Sequence, residues 1–385
     1  MPPADDLIRV AILTPPGRGA LAVVGLVGAH AVDLGDALFR PLSGPPLAGR
    51  SDAAICVGRW SSSATSHGED VVVVRHGAAH LEVQCHGGLA ASAAILQSLV
   101  CHGAVAVPWW DFQAAQGDDE IAIEARRAMP LAAGPKAARI LVRQLAGAFA
   151  REVRSLAAQA GAVDSGPRLA RLLRAARVGL RLTTPWRVAF TGRVNAGKSS
   201  LINVLAGHGR MLVSPHPGTT RDLVETRVVL EGWEIDLIDT AGTRDAFLKV
   251  GPVERAGIDR GRTAAATADL VIEVTAADDA PAATSRGPAG GPPRLRVLSK
   301  ADLVGEHRPS GDEDMTSSHA GLLLTSAHSG VGIDSLAARI IELLVPEETT
   351  EPDLLAGAVP FTLRQVDLIK RLLPPDHQTV HAPAV

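Results

Sequence analysis

Tyrosine is absent from this 385-residue sequence, and aromatic residues as a class make up only 3% of it. Hydrophobic residues nevertheless reach 46%, which is ample for folded cores packed mainly with aliphatic side chains. Because the length exceeds that of one usual domain, we expect two or three domains. The three cysteines, Cys56, Cys85 and Cys101, form neither a C-x-x-C pair nor a disulfide framework, which favours a reducing cytoplasm as the setting.

A strong charge of one sign and a long apolar run are also missing. The net charge is only −3, so any basic surface for nucleic acid must be local. The N-terminal segment MPPADDLIRV carries acids where a signal peptide would carry basic residues. The longest apolar stretch, 19–32, is too short to span a bilayer. We therefore expect a soluble cytoplasmic protein without a membrane partner.

A phosphate-binding pattern lies near the middle of the chain. The apolar run 188–190 leads into Gly192, four further residues and Gly197-Lys198-Ser199, and apolar residues at helical spacing follow. A glycine-containing turn before a helix is the ordinary alternative, but the order strand, loop, helix favours a nucleotide-binding loop. Lys198 would contact the β- and γ-phosphates as a catalytic charge, and the Ser199 hydroxyl would bind Mg²⁺. The predicted loop contacts are Gly192, Asn195, Ala196, Gly197, Lys198, Ser199 and Ser200.

Four further motifs follow in the order found in GTPases. Residues 217–222 (PGTTRD) place Thr219 and Thr220 near the nucleotide, with Thr220 as a Mg²⁺ ligand. A predicted strand then ends in Asp239-Thr240-Ala241-Gly242, where Asp239 would hold Mg²⁺ through water and the Gly242 N–H would sense the γ-phosphate.

The last two motifs would bind the base. Ser299-Lys300-Ala301-Asp302 and Ser326-Ala327 each follow a predicted strand. The carboxylate of Asp302 can accept both the N1–H and the exocyclic amine of guanine, whereas adenine offers no such pair of donors. Because the usual first residue of this N-K-x-D loop is Asn, Ser299 predicts a weaker brace. Together the motifs indicate GTP as the nucleotide.

Hydrophobic patterning predicts a multi-domain chain of mixed α/β and α+β class. Residues 1–112 form an N-terminal α+β domain, with strands at 7–13, 20–27, 53–59, 70–75 and 80–85 and a helix at 89–101. Helices are predicted at 118–129, 135–161 and 167–181, within a helical domain of residues 113–185. Residues 186–346 form an inserted P-loop GTPase (Ras-like) α/β domain, and 347–385 return as a short helical segment.

Three features outside the nucleotide motifs have two interpretations each. Residues 15–19 (PPGRG) could hold an anion through Arg18, or form only a tight turn. His86 could contact a ligand at a helix start, or be a cap or surface residue. Arginines at helical spacing could meet RNA phosphates, or form a solvated face; they are Arg168, Arg171, Arg174, Arg177 and Arg181.

The motifs GRVNAGKSSLIN, PGTTRD and DTAGTR, followed by Val253-Glu254-Arg255, resemble the G domain of the bacterial tRNA-modification GTPases of the MnmE (TrmE) family. The segments AILTPPGRGALAVVGLVG and GEDVVVV…VQCHGG resemble that family's N-terminal folate-binding domain, and LAGAFAREVRSL resembles a helix of its central domain. The related Era and Der GTPases share the G motifs but not this N-terminal domain.

The resemblance implies a mechanism. Thr243 stands where many GTPases have a water-orienting Gln, and the family instead uses K⁺ and dimerisation of G domains. Asn195 matches the K⁺ ligand, and Glu254 matches the residue that positions the attacking water, although Glu254 could be only a helix-surface carboxylate. The implied homodimer acts with an FAD-dependent MnmG-type protein on C5 of the tRNA wobble uridine, using a methylene group from a tetrahydrofolate derivative.

The chain also departs from the family pattern. The family ends in a Cys-x-Gly-Lys tail, whereas the last cysteine here is Cys101. Residues 108–112 (PWWDF) replace an expected Pro-Gly-Glu-Phe segment, and 280–293 form a Pro/Gly-rich insertion. Two hypotheses follow: a shortened tRNA-modification GTPase, or a divergent paralogue that keeps the GTP switch as a regulatory or RNA/ribosome-associated GTPase without modification chemistry.

Overall fold

The computed structural model describes residues 7–17, 19–61, 68–159, 165–211, 224–240, 261, 263–278, 291–303, 322–346 and 353–373. The chain forms two compact units, residues 1–123 and 124–385. Within the described ranges, no helix is both long enough and apolar enough to cross a membrane.

The first unit is built on a seven-stranded sheet. Its strands are β1 (Arg9–Ile12), β2 (Leu21–Val27), β3 (Phe39–Pro41), β4 (Ile55–Trp60), β5 (Glu69–Gly77), β6 (His80–His86) and β7 (Val105–Ala106). They lie in the order β3-β4-β5-β6-β2-β1-β7, and all neighbours are antiparallel except the pair β1 and β7. Its helices are α1 (Ala31–Leu38), α2 (Leu89–Cys101) and α3 (Trp109–Ala115).

Alternating burial divides this sheet into two faces. On β6, Leu81 and Val83 are buried in the main core together with Ile95 and Leu99 of α2. The opposite face carries a smaller cluster around Phe112 of α3. Gly25 makes this packing possible, because a Cβ there would lie 2.4 Å from Cζ of Phe112.

The second unit contains another seven-stranded sheet, which is mostly parallel. Its strands are β8 (Trp186–Thr191), β9 (Arg210–Met211), β10 (Val224–Leu230), β11 (Trp233–Asp239), β12 (Leu270–Ala276), β13 (Arg294–Ser299) and β14 (Leu322–Leu324). In the order β14-β13-β12-β8-β11-β10-β9, only β10 runs antiparallel to its neighbours. The carboxyl ends of the parallel strands therefore meet at one edge, where ligands bind in open α/β sheets.

The remaining helices are α4 (Glu120–Ala128), α5 (Pro135–Leu145), α6 (Ala148–Ala158), α7 (Ser165–Gly179), α8 (Lys198–His208), α9 (Ile333–Leu344) and α10 (Leu363–Leu372). The prediction of one helix over 135–161 is wrong. Gly147 adopts φ 87° between α5 and α6, a left-handed conformation that ends the first helix. Helix α1 was not predicted. The proposed domain boundaries at 185/186 and 346/347 stay predictions.

The segment before α10 packs against α5 and α7 through buried polar and close backbone contacts. Gln144 of α5 is 0% exposed, its side-chain oxygen accepts from the Val359 N–H at 3.1 Å, and its amide donates to the Gly357 carbonyl at 3.2 Å. A Cβ at Gly179 would lie 1.9 Å from the Pro360 carbonyl oxygen, so α7 and this segment touch backbone to backbone. The residues after the nucleotide sheet are thereby joined to helices that precede it.

A carboxylate of α4 completes this connection. Glu124 accepts two hydrogen bonds from Arg364, at 2.8 and 2.9 Å, and one from the Gln365 amide at 2.6 Å. The planar guanidinium and carboxylate form a bidentate pair, which is stronger and more directional than a single contact. Helix α10 is therefore fixed both in position and in rotation about its axis.

We predict that Gln144→Leu lowers the free energy of unfolding by about 1–3 kcal/mol, because the buried Val359 N–H would lose its acceptor. Val142→Ala on the exposed side of the same helix is the control and should change it by less than about 0.5 kcal/mol. Urea denaturation followed by tryptophan fluorescence measures both. Equal effects of the two substitutions would contradict a structural role for the Gln144 amide.

Candidate nucleotide site

The predicted phosphate loop connects β8 to α8 and contains three residues at positive φ. Gly192 has φ 144°, Asn195 has φ 63° and Gly197 has φ 86°. A Cβ at Gly192 would lie 2.1 Å from the Val274 carbonyl oxygen of β12, so only glycine fits where the loop begins. The loop therefore curls back over the carboxyl edge of the sheet and leads directly into the N-terminus of α8, a favourable place for an anion.

Lys198, the first residue of α8, is held within the loop. Its side chain is 7% exposed, and Nζ donates to the carbonyls of Gly192 at 3.2 Å and Arg193 at 2.9 Å. Burial lowers the pKa of Lys198, and the nearby Asp239 carboxylate partly opposes that shift. A bound phosphate would place a negative charge next to this desolvated ammonium and so stabilise its charged form.

Two predicted Mg²⁺ ligands from separate elements face each other. The Ser199 hydroxyl donates to Oδ2 of Asp239 at 2.5 Å, which brings the start of α8 to the end of β11. A hydroxyl and a carboxylate are the hard oxygen donors that Mg²⁺ prefers, so the pair fits this ion. The next residue, Thr240, secures the strand end, since its hydroxyl donates to the Phe190 carbonyl at 2.6 Å. Sequence reasoning did not single out Thr240.

Ser299 links the predicted base-binding loop to the phosphate loop. It is 2% exposed, and its hydroxyl donates to the Ala196 carbonyl at 2.5 Å, with the Thr275 carbonyl oxygen at 3.3 Å. The sequence predicted a weaker brace here than the usual Asn would provide. In the structure the serine side chain is short, but its hydroxyl still donates directly to a buried carbonyl of the phosphate loop and so connects the two loops.

Asp302 and Ser326 come together at the same edge. The Ser326 hydroxyl donates to Oδ1 of Asp302 at 2.5 Å and accepts from the backbone N–H groups of His328 and Ser329, at 3.2 and 3.1 Å. The hydrogen bond from Ser326 is the main cause that lowers the pKa of Asp302 and so stabilises its ionised form. An ionised Asp302 can accept from the guanine N1–H and amine.

A cleft of about 400 Å³ lies between the two loops. It is lined by Gly197, Ser200, Leu201, Ser299, Lys300, Asp302, Leu303, Ala327 and His328. Lys300 enters it from a left-handed conformation, φ 57°, with Nζ 4.0 Å from the Asp278 carboxylate. Sequence reasoning missed His328 and Asp278. His328 could have been found from its place directly after Ser326-Ala327. Asp278 could not, because its position at the cleft depends on which strand lies next to β13.

Several predicted site residues lie outside the described residues. They are Thr219, Thr220, Gly242, Thr243 and Glu254, together with most of the insertion at 280–293. The roles predicted for them stay predictions. Arg18 also lies outside the described part of the chain, so neither interpretation of residues 15–19 is decided.

The evenly spaced arginines of α7, and Arg181 just after it, all have partners. Arg168 donates to Glu152 at 2.9 Å, to Ser155 at 3.1 Å and to Gln159 at 3.0 Å. Arg171 donates to the Asp353 carbonyl at 2.7 Å, and Arg181 pairs with Asp269. Arg174 and Arg177 also have partners. These contacts favour a structural role over a phosphate-binding surface.

His86 contacts a carboxylate at the protein surface. Its Nδ1 lies 2.5 Å from the Glu69 carboxylate on the adjacent part of the sheet. Helix α2 begins after Gly88 without a side-chain cap, so His86 does not cap it. Of the two interpretations, the surface histidine is the one that this geometry favours.

Comparisons with known proteins agree with the geometry of the nucleotide edge. Residues 187–287 match a protein family described as "50S ribosome-binding GTPase", MMR_HSR1. This match begins at β8 and includes the phosphate loop and Asp239, so the second unit contains a P-loop GTPase domain with the mixed α/β content described above. GTP is the nucleotide that such a domain binds and hydrolyses, and Mg²⁺ is the ion that accompanies it.

Similarity to curated proteins extends over both units. The "tRNA modification GTPase MnmE" of Thermus thermophilus is 32% identical over 406 residues, covering 94% of this chain and 86% of that protein. The MnmE of Halorhodospira halophila is 31% identical, covering 90% of this chain and 81% of that protein. The human mitochondrial "5-taurinomethyluridine-[tRNA] synthase subunit GTPB3" is 37% identical over 203 residues, covering 48% and 40%. The chain is a GTP hydrolase and belongs to the MnmE family of tRNA modification GTPases.

Proposed function

We propose that this GTPase couples K⁺-stimulated GTP hydrolysis to modification of C5 of the wobble uridine in tRNA, in the cytoplasm. The observation that carries the proposal is that similarity to MnmE proteins covers 94% of the chain, including the first unit. A regulatory GTPase that shared only the nucleotide motifs would match over the segment 187–287 alone. The extent of the similarity therefore supports the modification function over that of a GTPase that shares only the nucleotide motifs.

The proposal assigns one role to each part of the chain. Residues 1–112 are a folate-binding α+β domain, 113–185 and 347–385 form the helical domain, and 186–346 are the inserted GTPase domain. The contacts of Gln144 and Glu124 with the segment 357–365 support the return of the chain to the helical layer.

Nucleotide recognition divides between the two ends of the cleft. At one end, Lys198 and the backbone N–H groups of residues 192–200 would neutralise the β- and γ-phosphates as charge develops during hydrolysis. At the other end, Asp302 would accept from guanine, and Lys300, Ser326 and Ala327 would line the base. Because Ser299 connects both loops, binding of the base and positioning of the phosphates would be coupled.

Ser199 and Asp239 would hold Mg²⁺, with Thr220 completing the protein ligands. The ion would supply positive charge that neutralises the phosphates during hydrolysis. The short contact between the two described ligands supports this assignment, because two oxygen donors from separate elements already meet there. If the Ser199 hydroxyl turned its hydrogen away from Asp239, the hydroxyl oxygen and the Asp239 carboxylate oxygen would both be available to the ion and its water shell.

The water-activating part of the site would follow the family pattern. Asn195 would offer its exposed amide oxygen to K⁺, Gly242 would donate its N–H to the γ-phosphate, and Glu254 would position the attacking water. The exposure of Asn195 supports its part, since the loop presents this side chain outward rather than into the core. Potassium would supply charge where an arginine finger acts in other GTPases.

The modification chemistry requires partners. We place a tetrahydrofolate derivative on the first unit, an FAD-dependent MnmG-type protein as the second enzyme, and tRNA as the substrate, with the chain acting as a homodimer. The human relative is named as a subunit of a synthase, which supports action within a complex.

GTP turnover should be markedly faster in KCl than in NaCl at equal ionic strength, because Na⁺ is too small to replace K⁺ beside the phosphates. Asn195→Ala should abolish the difference, and Glu254→Ala should lower turnover in both salts by about 100-fold or more. Phosphate release by the purified full chain measures all three. Equal rates of the unsubstituted chain in the two salts would reject the K⁺ mechanism and leave the GTPase assignment intact.

Asp302→Asn should reverse the base preference. The amide oxygen can still accept from N1–H, but the amide NH2 replaces the second acceptor, so it can donate to the C2 carbonyl of xanthine and meets the guanine amine donor to donor. We therefore expect GDP affinity to fall by at least about 100-fold while XDP affinity rises. Competition between labelled GDP and XDP measures this. Asp334→Asn, an exposed carboxylate of the same unit, should keep the preference for GDP. A variant at Asp302 that still preferred GDP would contradict the assigned role.

Ser299→Ala should weaken GDP binding by about 5- to 10-fold, because the buried Ala196 carbonyl would lose its donor and the two loops their connection. Ser329→Ala, which removes an exposed hydroxyl nearby, is the matched control and should leave GDP affinity unchanged. Release of a fluorescent GDP analogue distinguishes the two. Similar release rates from both variants would show that the Ser299 hydrogen bond does not support the site.

A further inference from the structure

The hairpin of β5 and β6 in the first unit gathers three potential metal ligands on one face of the sheet. His80 and Glu82 are two residues apart on β6 and point to the side opposite buried Leu81. The ladder is irregular near the turn, where Arg75 pairs with Leu81 but Gly77 pairs with His80. This bulge adds one residue to β5, at His76, and bulges of this kind redirect a side chain.

The three side chains are in contact. Nε2 of His76 lies 3.2 Å from Oε2 of Glu82, and the imidazoles of His76 and His80 stack with their centroids 4.5 Å apart. One ligand atom from each residue can be chosen so that all three atoms lie within 4.8 Å of one another. Among the described residues this is the one such group of histidine, cysteine and carboxylate side chains.

These separations are close to what a bound ion requires. Zn²⁺ binds imidazole nitrogen at about 2.0–2.1 Å and carboxylate oxygen at about 2.0–2.2 Å, which places tetrahedral ligand atoms roughly 3.3 Å apart. To bring the three ligand atoms to this spacing, mainly the His76 side chain would have to move, and it can rotate because it is exposed at the end of a strand. His80 and Glu82, which are both half-buried, would keep their positions.

Neighbouring side chains hold His80 in place. The side-chain amide of Gln116 lies 2.9 Å from Nε2 and 3.2 Å from Nδ1 of His80, and Phe112 packs edge-on against its ring at 5.8 Å. The outer contact that a metal-bound His80 requires is the amide turned so that its oxygen accepts the ring N–H, which leaves the other ring nitrogen to the metal.

We infer that His76, His80 and Glu82 form a binding site for Zn²⁺, with water as the remaining ligand. Two imidazoles and one carboxylate suit zinc, whereas Mg²⁺ prefers oxygen alone and Cu(I) prefers sulfur. The site would clip the turn end of the β5–β6 hairpin and stabilise the first unit. It shares no residue with the nucleotide site, and it lies in the unit to which the proposed function assigns the folate derivative.

The test is a Zn²⁺ titration of the full chain, free of any histidine tag and stripped with EDTA, in competition with a chromogenic chelator. Excess Mg²⁺ and GDP are kept present, so that Zn²⁺ does not occupy Ser199 and Asp239. We expect one site that is weakened at least about tenfold in His76→Gln and in Glu82→Gln. Saturating Zn²⁺ should also raise the melting temperature of the unsubstituted chain but not that of either variant.

His86→Gln is the matched control, because it removes another histidine paired with a carboxylate at the far end of the same strand. It should keep both the affinity and the thermal shift. Circular dichroism spectra that match the unsubstituted chain show that the variants are folded, which exposed positions such as His76 permit. Absence of the site, or equal affinity in His76→Gln and the unsubstituted chain, would overturn the inference.

Discussion

The close approach of the phosphate loop to strand β12 is the constraint on which the nucleotide edge depends. Gly192 lies so near the Val274 carbonyl that no side chain fits, and this contact fixes where the loop leaves the sheet. Near the other end of the loop, the Ala196 carbonyl receives the Ser299 hydroxyl. A loop anchored at both ends keeps its N–H groups oriented without a ligand, which reduces the ordering cost when phosphate binds.

The sequence predicts those parts of the site whose geometry is local. Asp239 ends a strand, and the phosphate loop and Asp302 each follow one within a few residues, so spacing alone indicates their roles. Contacts between motifs depend instead on strand order. Ser299 and Ala196 are 103 positions apart in the sequence, and their contact depends on the strand order β13-β12-β8 in the sheet. Neither that order nor the reach of a serine hydroxyl can be derived from the motifs.

The fold is predictable to a similar extent. Alternation and apolar runs predicted most strands of both sheets and the later helices, since their periods are intrinsic to the chain. Helix α1 was missed because its eight residues contain Gly35 and continue an apolar stretch that includes β2. The sequence pattern predicts Gly147 inside one continuous helix, because glycine does occur within helices. That the chain ends α5 at this residue depends on the packing of α5 against α6.

The pairing of Glu124 with Arg364 has a consequence for how the chain acquires its structure on the ribosome. These residues are 240 positions apart, so α4 cannot find its ionic partner until the whole nucleotide sheet has been synthesised. The sheet from β8 to β14 is continuous in sequence and can form while the helices before it still lack their last neighbour. Closing a loop of this length costs only slightly more entropy than closing a loop of half the length. The main effect of a preformed sheet would therefore be to hold the two ends of the chain near each other. Nascent chains halted before Arg364 would therefore expose the apolar side of α7 to chaperones and proteases.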